Sequence, residues 1–319
     1  MLRRLTTILT TLALTVCILT ATGAAEGSVY EAIAGYSGLY RLAGTNWLIE
    51  SPEHDRVEGE TQRQAEGYRA FAERNGVEEV YVYLINSSRS VNLDDPQAET
   101  PLWKLLQECY PDCTLDCLKI DSVDAYCNYF YKTDHHWNYK GSYEGYKAII
   151  RMMLGEDEPL MQPEETVEFP FVFNGSFNKK LNRTDSDEKF TVYRFEYPEM
   201  DITVNRGWAK AYGRAKLYFA GKANSENGFT NHYGQFYGGE NGLIEFSTGR
   251  PEKESIMIIS NSFSNPVDML IASHFNNTAV VDPRFFDEEI GAEVSMDALI
   301  RTYGITKILL IGDPTFFRW

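Results

Sequence analysis

Histidine is scarce in this chain, with five among 319 residues. Cysteine is no more frequent at five, and basic residues are outnumbered, 30 Lys and Arg against 46 Asp and Glu, for a formal charge of −16. That acidity argues against nucleic acid and anionic lipid surfaces as partners, since binding phosphate depends on clustered Lys and Arg. Neutral glycans and small molecules stay open. No Pro- or Ser-rich linker, low-complexity tract or internal repeat divides the sequence. One large domain or two small ones would fit its length.

Long apolar runs are also few, and the clearest lies at the N-terminus. Arg3 and Arg4 precede the apolar stretch Leu5 to Ala21, and small residues follow at Thr22-Gly23-Ala24-Ala25. Residues 1–25 therefore read as an export signal cleaved after Ala24 or Ala25, with an uncleaved membrane anchor as the alternative. Either way the working domain, 26–319, is expected outside the cytoplasm. Four cysteines then remain, Cys109, Cys113, Cys117 and Cys127. An even, clustered set in an exported protein predicts two disulfides with three possible pairings. Zinc fits the spacings poorly, and free thiols are the other option.

Against this background one segment stands out, Thr133-Asp134-His135-His136-Trp137-Asn138. A catalytic histidine needs a partner that fixes its tautomer and stabilises its cation. An aspartate two residues earlier can do that from an irregular segment, making His136 the candidate base and Asp134 its orienting group, with Trp137 available to pack against the ring. The two histidines with Asp134 also make a nominal metal set. Neighbouring residues seldom converge on one ion, however, and no third ligand suggests itself, so no metal or cofactor is expected.

Strand–helix alternation organises much of the chain. The pattern predicts a helix over 60–74, a buried strand over 79–85, a helix over 101–109 and a strand over 114–120. A helix capped by Asn138 follows over 139–154. Strands at 255–259, 278–282 and 307–311 alternate with helices at 266–274 and 296–303. Such alternation argues for a mostly parallel sheet flanked by helices, with ligands at the carboxyl ends of its strands. Residues 160–250 read instead as a β-rich insertion.

Ser262 comes just after the strand Ile256-Met257-Ile258-Ile259 and just before a helix, a position that exposes a hydroxyl at the top of the sheet. Its own N–H and that of Phe263 are candidate oxyanion donors. Gly238-Gly239-Glu240-Asn241 offers a backbone N–H at Gly239 and an amide at Asn241 for the same purpose, or else a hairpin turn between strands near Tyr237 and Ile244. Aromatic residues in polar stretches, Tyr129, Tyr131, Trp208 and Tyr233, together with His232, are candidates to stack on sugar rings, with core packing as the default.

The segment Tyr131 to Asn138, followed by Gly141 and Tyr146, resembles the signature of the DHHW family. That family is similar to the SGNH-hydrolase-like alginate O-acetyltransferases of the AlgX and AlgJ type. The Gly238 to Asn241 segment, Ile258 to Asn265, and Val280 to Phe286 with Arg284 extend the resemblance over about 46–307. It implies an SGNH-hydrolase-like (flavodoxin-like) α/β fold with the motifs in circularly permuted order, Asp and His before Ser. It further implies an exported O-acetyltransferase or acetylesterase acting on a polysaccharide, beside a membrane-bound acyltransferase that supplies acetyl groups. Ser262, His136 and Asp134 match the catalytic positions. The family usually has Gly-Asp-Ser where this chain has Ser260-Asn261-Ser262, and Ser260 is expected to crowd the turn. A non-catalytic glycan-binding or assembly protein on the same fold is the alternative reading.

Overall fold

The computed structural model describes residues 27–52, 58–208, 228–291 and 293–318. The expected signal at 1–25 lies outside the described residues, as does the side chain of Trp208. The described chain opens with a small antiparallel sheet of β1 (Tyr30–Ala32), β2 (Leu39–Leu42) and β3 (Leu48–Glu50). Next come α1 (Glu58–Arg74), β4 (Glu79–Leu84), α2 (Pro101–Cys109), β5 (Thr114–Cys117), α3 (Val123–Tyr129) and α4 (Tyr139–Leu154). The middle of the chain holds β6 (Glu165–Val172), α5 (Ser176–Leu181), β7 (Lys189–Arg194), β8 (Asp201–Val204), β9 (Gly207–Trp208) and α6 (His232–Tyr237). It closes with β10 (Leu243–Ser247), β11 (Ser255–Ser260), α7 (Asp268–Ala272), β12 (Asn277–Val281), α8 (Phe286–Glu289), α9 (Met296–Tyr303) and β13 (Ile305–Gly312).

The central sheet runs β5-β4-β13-β11-β12-β10-β8-β9. Its first five strands are parallel, and β10, β8 and β9 continue it in antiparallel register. Alternation along each strand explains why the parallel part is an apolar run. In β4, Val80, Val82 and Leu84 enter one core while Tyr81 and Tyr83 enter the other; in β13, Ile308 and Leu310 oppose Leu309 and Ile311. A strand covered on both faces has no polar side to show. Each such side chain contributes roughly 1.5–3 kcal/mol when fully buried.

Helix ends follow local chemistry. Asn138 Oδ1 accepts from the N–H groups of Lys140 and Gly141 at 2.9 and 3.1 Å, opening α4 where expected. Ser295 Oγ accepts from Ala298 N–H, and Gly304, at φ +58°, closes α9 in the left-handed conformation.

Three features go beyond the local pattern. Within the stretch read as a β-rich insertion, β8, β9 and β10 lengthen the main sheet, while β6 and β7 form a separate hairpin. Leu243 faces one core while Ile244 and Phe246 face the other, the same two-sided burial that the parallel strands have. Second, Tyr237 ends a helix rather than a strand, so Gly238 is a left-handed helix cap at φ 97° instead of a hairpin residue. Third, Cys109, Cys113, Cys117 and Cys127 are all free thiols. Cys109, Cys113 and Cys117 pack against one sheet face and Cys127 against the other, so the sheet itself stands between Cys127 and the rest. Burial raises all four thiols above their ordinary range. Among the described residues, no helix is long and apolar enough to cross a membrane.

Candidate active site

Ser262 follows the carboxyl end of β11, which is flanked by β13 and β12. It stands in a turn stitched by its neighbours. Asn261 Oδ1 accepts the Phe263 N–H at 3.2 Å, while Asn261 Nδ2 donates to Asp313 Oδ1 at 3.0 Å. Ser260, expected to crowd this turn, is absorbed by it. It is the last residue of β11, and its buried hydroxyl pairs with that of Ser264 at 2.7 Å. Ser262 itself is half-buried.

The other half of the site is an irregular strap between α3 and α4. Phe130 and Trp137 bridge in antiparallel fashion, and the Tyr131 N–H donates to the His136 carbonyl, leaving Asp134 and His135 at the tip. Around that tip the backbone is held by other segments. Leu48 N–H donates to Lys132 O at 2.9 Å, Phe177 N–H to Thr133 O at 3.0 Å, and Gly175 N–H to Thr133 Oγ1 at 3.0 Å. Gly175 is required by close approach: a Cβ there would lie 2.4 Å from the Asp134 Cβ and 2.5 Å from Thr133 O. Gly145 plays the same part for Trp137, whose ring occupies the place a Cβ would need. The Trp137 Nε1–H then donates to Phe263 O at 2.8 Å, tying the strap to the serine turn.

These supports bring three groups into line. Asp134 Oδ1 accepts from the His136 N–H at 3.0 Å and meets His136 Nδ1 at 2.7 Å. His136 Nε2 lies 3.0 Å from Ser262 Oγ. Asp134 Oδ2 accepts the Ser176 N–H at 2.7 Å. Burial alone would raise the Asp134 carboxyl, but the imidazoles of His135 and His136 and the hydrogen bonds from His136 outweigh it and hold the group well below the usual carboxylate range. It is ionised at neutral pH and therefore directs a proton to His136 Nδ1, freeing Nε2 to accept from Ser262.

His135 points elsewhere, with Nδ1 2.7 Å from Ser176 Oγ. Burial and the neighbouring His136 push it down to about 4 against the pull of Asp134, so it is neutral at pH 7. Candidate ligand atoms of Asp134, His135 and His136 lie within 4.8 Å of one another. An ion on the Asp134 side would have to displace the His136 Nδ1 proton and take the carboxylate oxygen that accepts it.

The remaining candidates divide sharply. The Phe263 N–H is occupied by Asn261, whereas the Ser262 N–H has no acceptor among the described residues. Asn241 turns its amide back onto Gly238 O at 2.8 Å, and it is Asn265 that reaches Gly239, donating to its carbonyl at 2.9 Å. The glycine loop thus flanks the serine turn, but through a carbonyl. Trp137 is fully buried and does not pack on the His136 ring; Tyr131 and His232 are buried in an aromatic cluster with Phe173 and Phe190. Neither Trp137 nor Tyr131 is free to stack on a sugar. Arg284 forks onto Asp282 at the end of β12 and lies 3.5 Å from Glu240, on the rim of the glycine loop.

Asn261, Tyr233, Gly175, Ser176 and Asp313 carry contacts that the sequence reading missed. Only Asn261 had a usable signal, as the Asx residue one place before the serine. Tyr233 lies over the His136 ring at 3.8 Å between centroids and donates its hydroxyl to Ser262 O at 2.8 Å.

No protein-family model matches the sequence, and no curated protein matches it. Solved structures do. A DHHW family protein from Eubacterium siraeum DSM 15702 superposes with a TM-score of 0.64 at 16% identity, covering 91% of this chain and 95% of that one. PatB1 of Bacillus cereus, solved with a sulfonyl adduct, gives 0.63 at 15% identity, with 86% and 94% covered. The O-acetyltransferase domain of Pseudomonas putida AlgJ is more distant, at 0.47 and 11% identity over 88% and 91%. The class is thus an α/β fold with a mostly parallel sheet between helices. Within that class the chain shares its fold with the DHHW family protein, as the resemblance at residues 131–138 implied, and also with PatB1.

Proposed function

We propose that this chain is an extracytoplasmic serine O-acetyltransferase or acetylesterase acting on a glycan. One observation carries the reading: His136 bridges an ionised, buried Asp134 at 2.7 Å and the hydroxyl of half-buried Ser262 at 3.0 Å. Ser262 Oγ attacks the acetyl carbonyl carbon while His136 Nε2 takes the serine proton. The tetrahedral oxyanion is met by the Ser262 N–H at the carboxyl end of the sheet. Collapse breaks the ester bond, and the departing alcohol oxygen takes the proton back from His136, leaving acetyl-Ser262. A sugar hydroxyl or a water then attacks that ester with His136 again as base, restoring the serine and delivering acetylated sugar or acetate. Asp134 keeps the imidazole in one tautomer and stabilises its cation throughout.

The apolar run at Leu5 to Ala21 motivates an address outside the cytoplasm. A membrane-bound acyltransferase is the proposed source of acetyl groups, carried over from the family resemblance alone. The fold shared with PatB1, which binds a sulfonyl group in its solved structure, suggests the reagent for a test. A sulfonyl fluoride should label Ser262, as mapped by mass spectrometry. Ser262→Ala should remove the label and lower aryl acetate hydrolysis by about 10³-fold or more. Labelling at another residue, or hydrolysis undiminished in Ser262→Ala, would overturn the mechanism. Glycan binding without any turnover would favour the non-catalytic alternative.

A further inference from the structure

We infer that Tyr233 is a positioning residue for this acyl transfer, holding both partners of the His136–Ser262 contact and stabilising His136 as a cation through its ring face. The inference rests on the proposed serine mechanism for its kinetic consequence, though the ring interaction itself is measurable without turnover. The geometry is specific. The phenol and imidazole planes are within 15° of parallel, with centroids 3.8 Å apart, so the negative face of the phenol covers the imidazole. The same side chain reaches past the imidazole to donate its hydroxyl to the Ser262 carbonyl at 2.8 Å. A ring held to the base and a hydroxyl held to the nucleophile's backbone leave little freedom for the 3.0 Å gap between them.

The local fold explains how Tyr233 arrives there. Asn231 Oδ1 accepts the Gly234 N–H at 2.9 Å, capping α6 so that its first turn presents Tyr233 inward. Tyr131 meets the Tyr233 ring edge-on, with planes at 89° and centroids 6.4 Å apart, and Tyr237 packs on it at 5.0 Å. Tyr131, expected at a sugar, thus buttresses the ring that covers the base. Burial, then neighbouring Tyr237 and the charges of Asp134 and Asp268, pushes the Tyr233 phenol well above its ordinary range, so it remains a neutral donor.

Chemistry makes the stack matter more in the transition state than before it. When His136 takes the serine proton it becomes a cation, and a cation over an aromatic face is attracted by the ring quadrupole, more strongly when desolvated. Other groups bear on the same ring. Asp134 favours the cation directly. His135 lies 4.0 Å away on a tilted ring and is neutral at pH 7, and Phe263 lies at 4.7 Å. Asp313 and Glu50 are felt at His135, and Glu188 lies close enough to Asp134 to feel its charge. None of these depends on Tyr233, so replacing its ring isolates one contribution.

The experiment compares Tyr233→Phe, Tyr233→Leu and a 3,4,5-trifluorophenylalanine at position 233. The readouts are aryl acetate kinetics across pH and the carbon-13 titration of histidine-labelled protein in a Ser262→Ala background. Tyr233→Phe keeps the face and loses the hydroxyl, so kcat falls about five- to tenfold with KM and the acid limb of the pH profile unmoved. Tyr233→Leu removes the face as well; kcat falls about 100-fold and the acid limb moves to lower pH by roughly half a unit or more. The trifluorinated ring has nearly the size of phenylalanine but a drained face. It should move the His136 titration down relative to Tyr233→Phe, even where Tyr233→Leu fails to fold. An unmoved titration between those two rings would overturn the inference. Wild-type protein that hydrolyses no ester would instead sink the proposed function, while the titration would still decide the stack.

Discussion

The two halves of the candidate site are built in opposite ways. Ser262 sits in a turn two residues beyond a strand with parallel neighbours on both sides. Asp134 and His136 sit on a strap without helix or ladder of its own, held by bonds from β3, from the Phe173 to Phe177 segment and from the serine turn. On the sheet side, position follows from backbone pairing and two-sided burial. On the strap side it follows from individual polar contacts and two close-packed glycines. The serine half therefore takes its place first from the sheet and is trimmed by single contacts, while the strap half depends on single contacts throughout.

The largest test of that contrast is Asp134→Asn. The amide keeps the shape but can present an N–H to His136 Nδ1, favouring the wrong tautomer, so kcat on an aryl acetate should fall by about 10³- to 10⁴-fold. Near-UV circular dichroism should remain native; a loss below tenfold would mean that the strap carboxylate is not the orienting group. Gly175→Ala comes next. Its new methyl must displace Asp134 or the first turn of α5, and a shift of about 1 Å should cost on the order of 100-fold in kcat/KM. Wild-type kinetics would show that the strap is more compliant than its contacts suggest.

The smallest effect is on stability across pH. Burial holds His135, His232 and His274 below the usual histidine range, the first two at about 4. Below about pH 6.5 the unfolded chain protonates these rings while the folded chain resists, so their stabilisation is full above that value and is lost as pH falls toward 4. Half-buried Glu188, beside the strap, is raised by burial to about 8. Its contribution is full below its unfolded value of about 4.5 and is lost as pH rises toward 8. Tm should therefore peak near pH 6.5, fall by several degrees toward pH 4.5 and decline more gently toward pH 8, with Glu188→Gln flattening the alkaline side. A Tm constant between pH 4.5 and 6.5 would contradict the lowering of the three imidazoles.

Much of the scaffold was legible because it rests on local rules. Residues 101–109, 139–154 and 296–303 are helical with the expected bounds, and the strands expected from apolar runs at 79–85, 255–259 and 307–311 form at 79–84, 255–260 and 305–312. Residues 238–241 misled, since two glycines before an apolar run suit a hairpin as well as a helix cap. The cysteines misled for a related reason: spacing says nothing of which face of a sheet each side chain enters. Tyr233 was noticed only as an aromatic in a polar stretch, because no local pattern marks a ring that will stack 97 positions away, on His136.

The amino-acid sequence by itself determined what is decided within a few residues: the carboxylate two places before the imidazole, the Asn138 cap and the apolar alternation that builds two-sided strands. The tertiary fold settles that His136 meets a hydroxyl 126 residues later, which backbone N–H near it is left without an acceptor, and which aromatic ring lies over the imidazole. The physical reason is range. Caps and periodicity act through neighbouring peptide units, whereas a contact across the sheet exists only once β11 has found its parallel neighbours and the strap has closed over the serine turn.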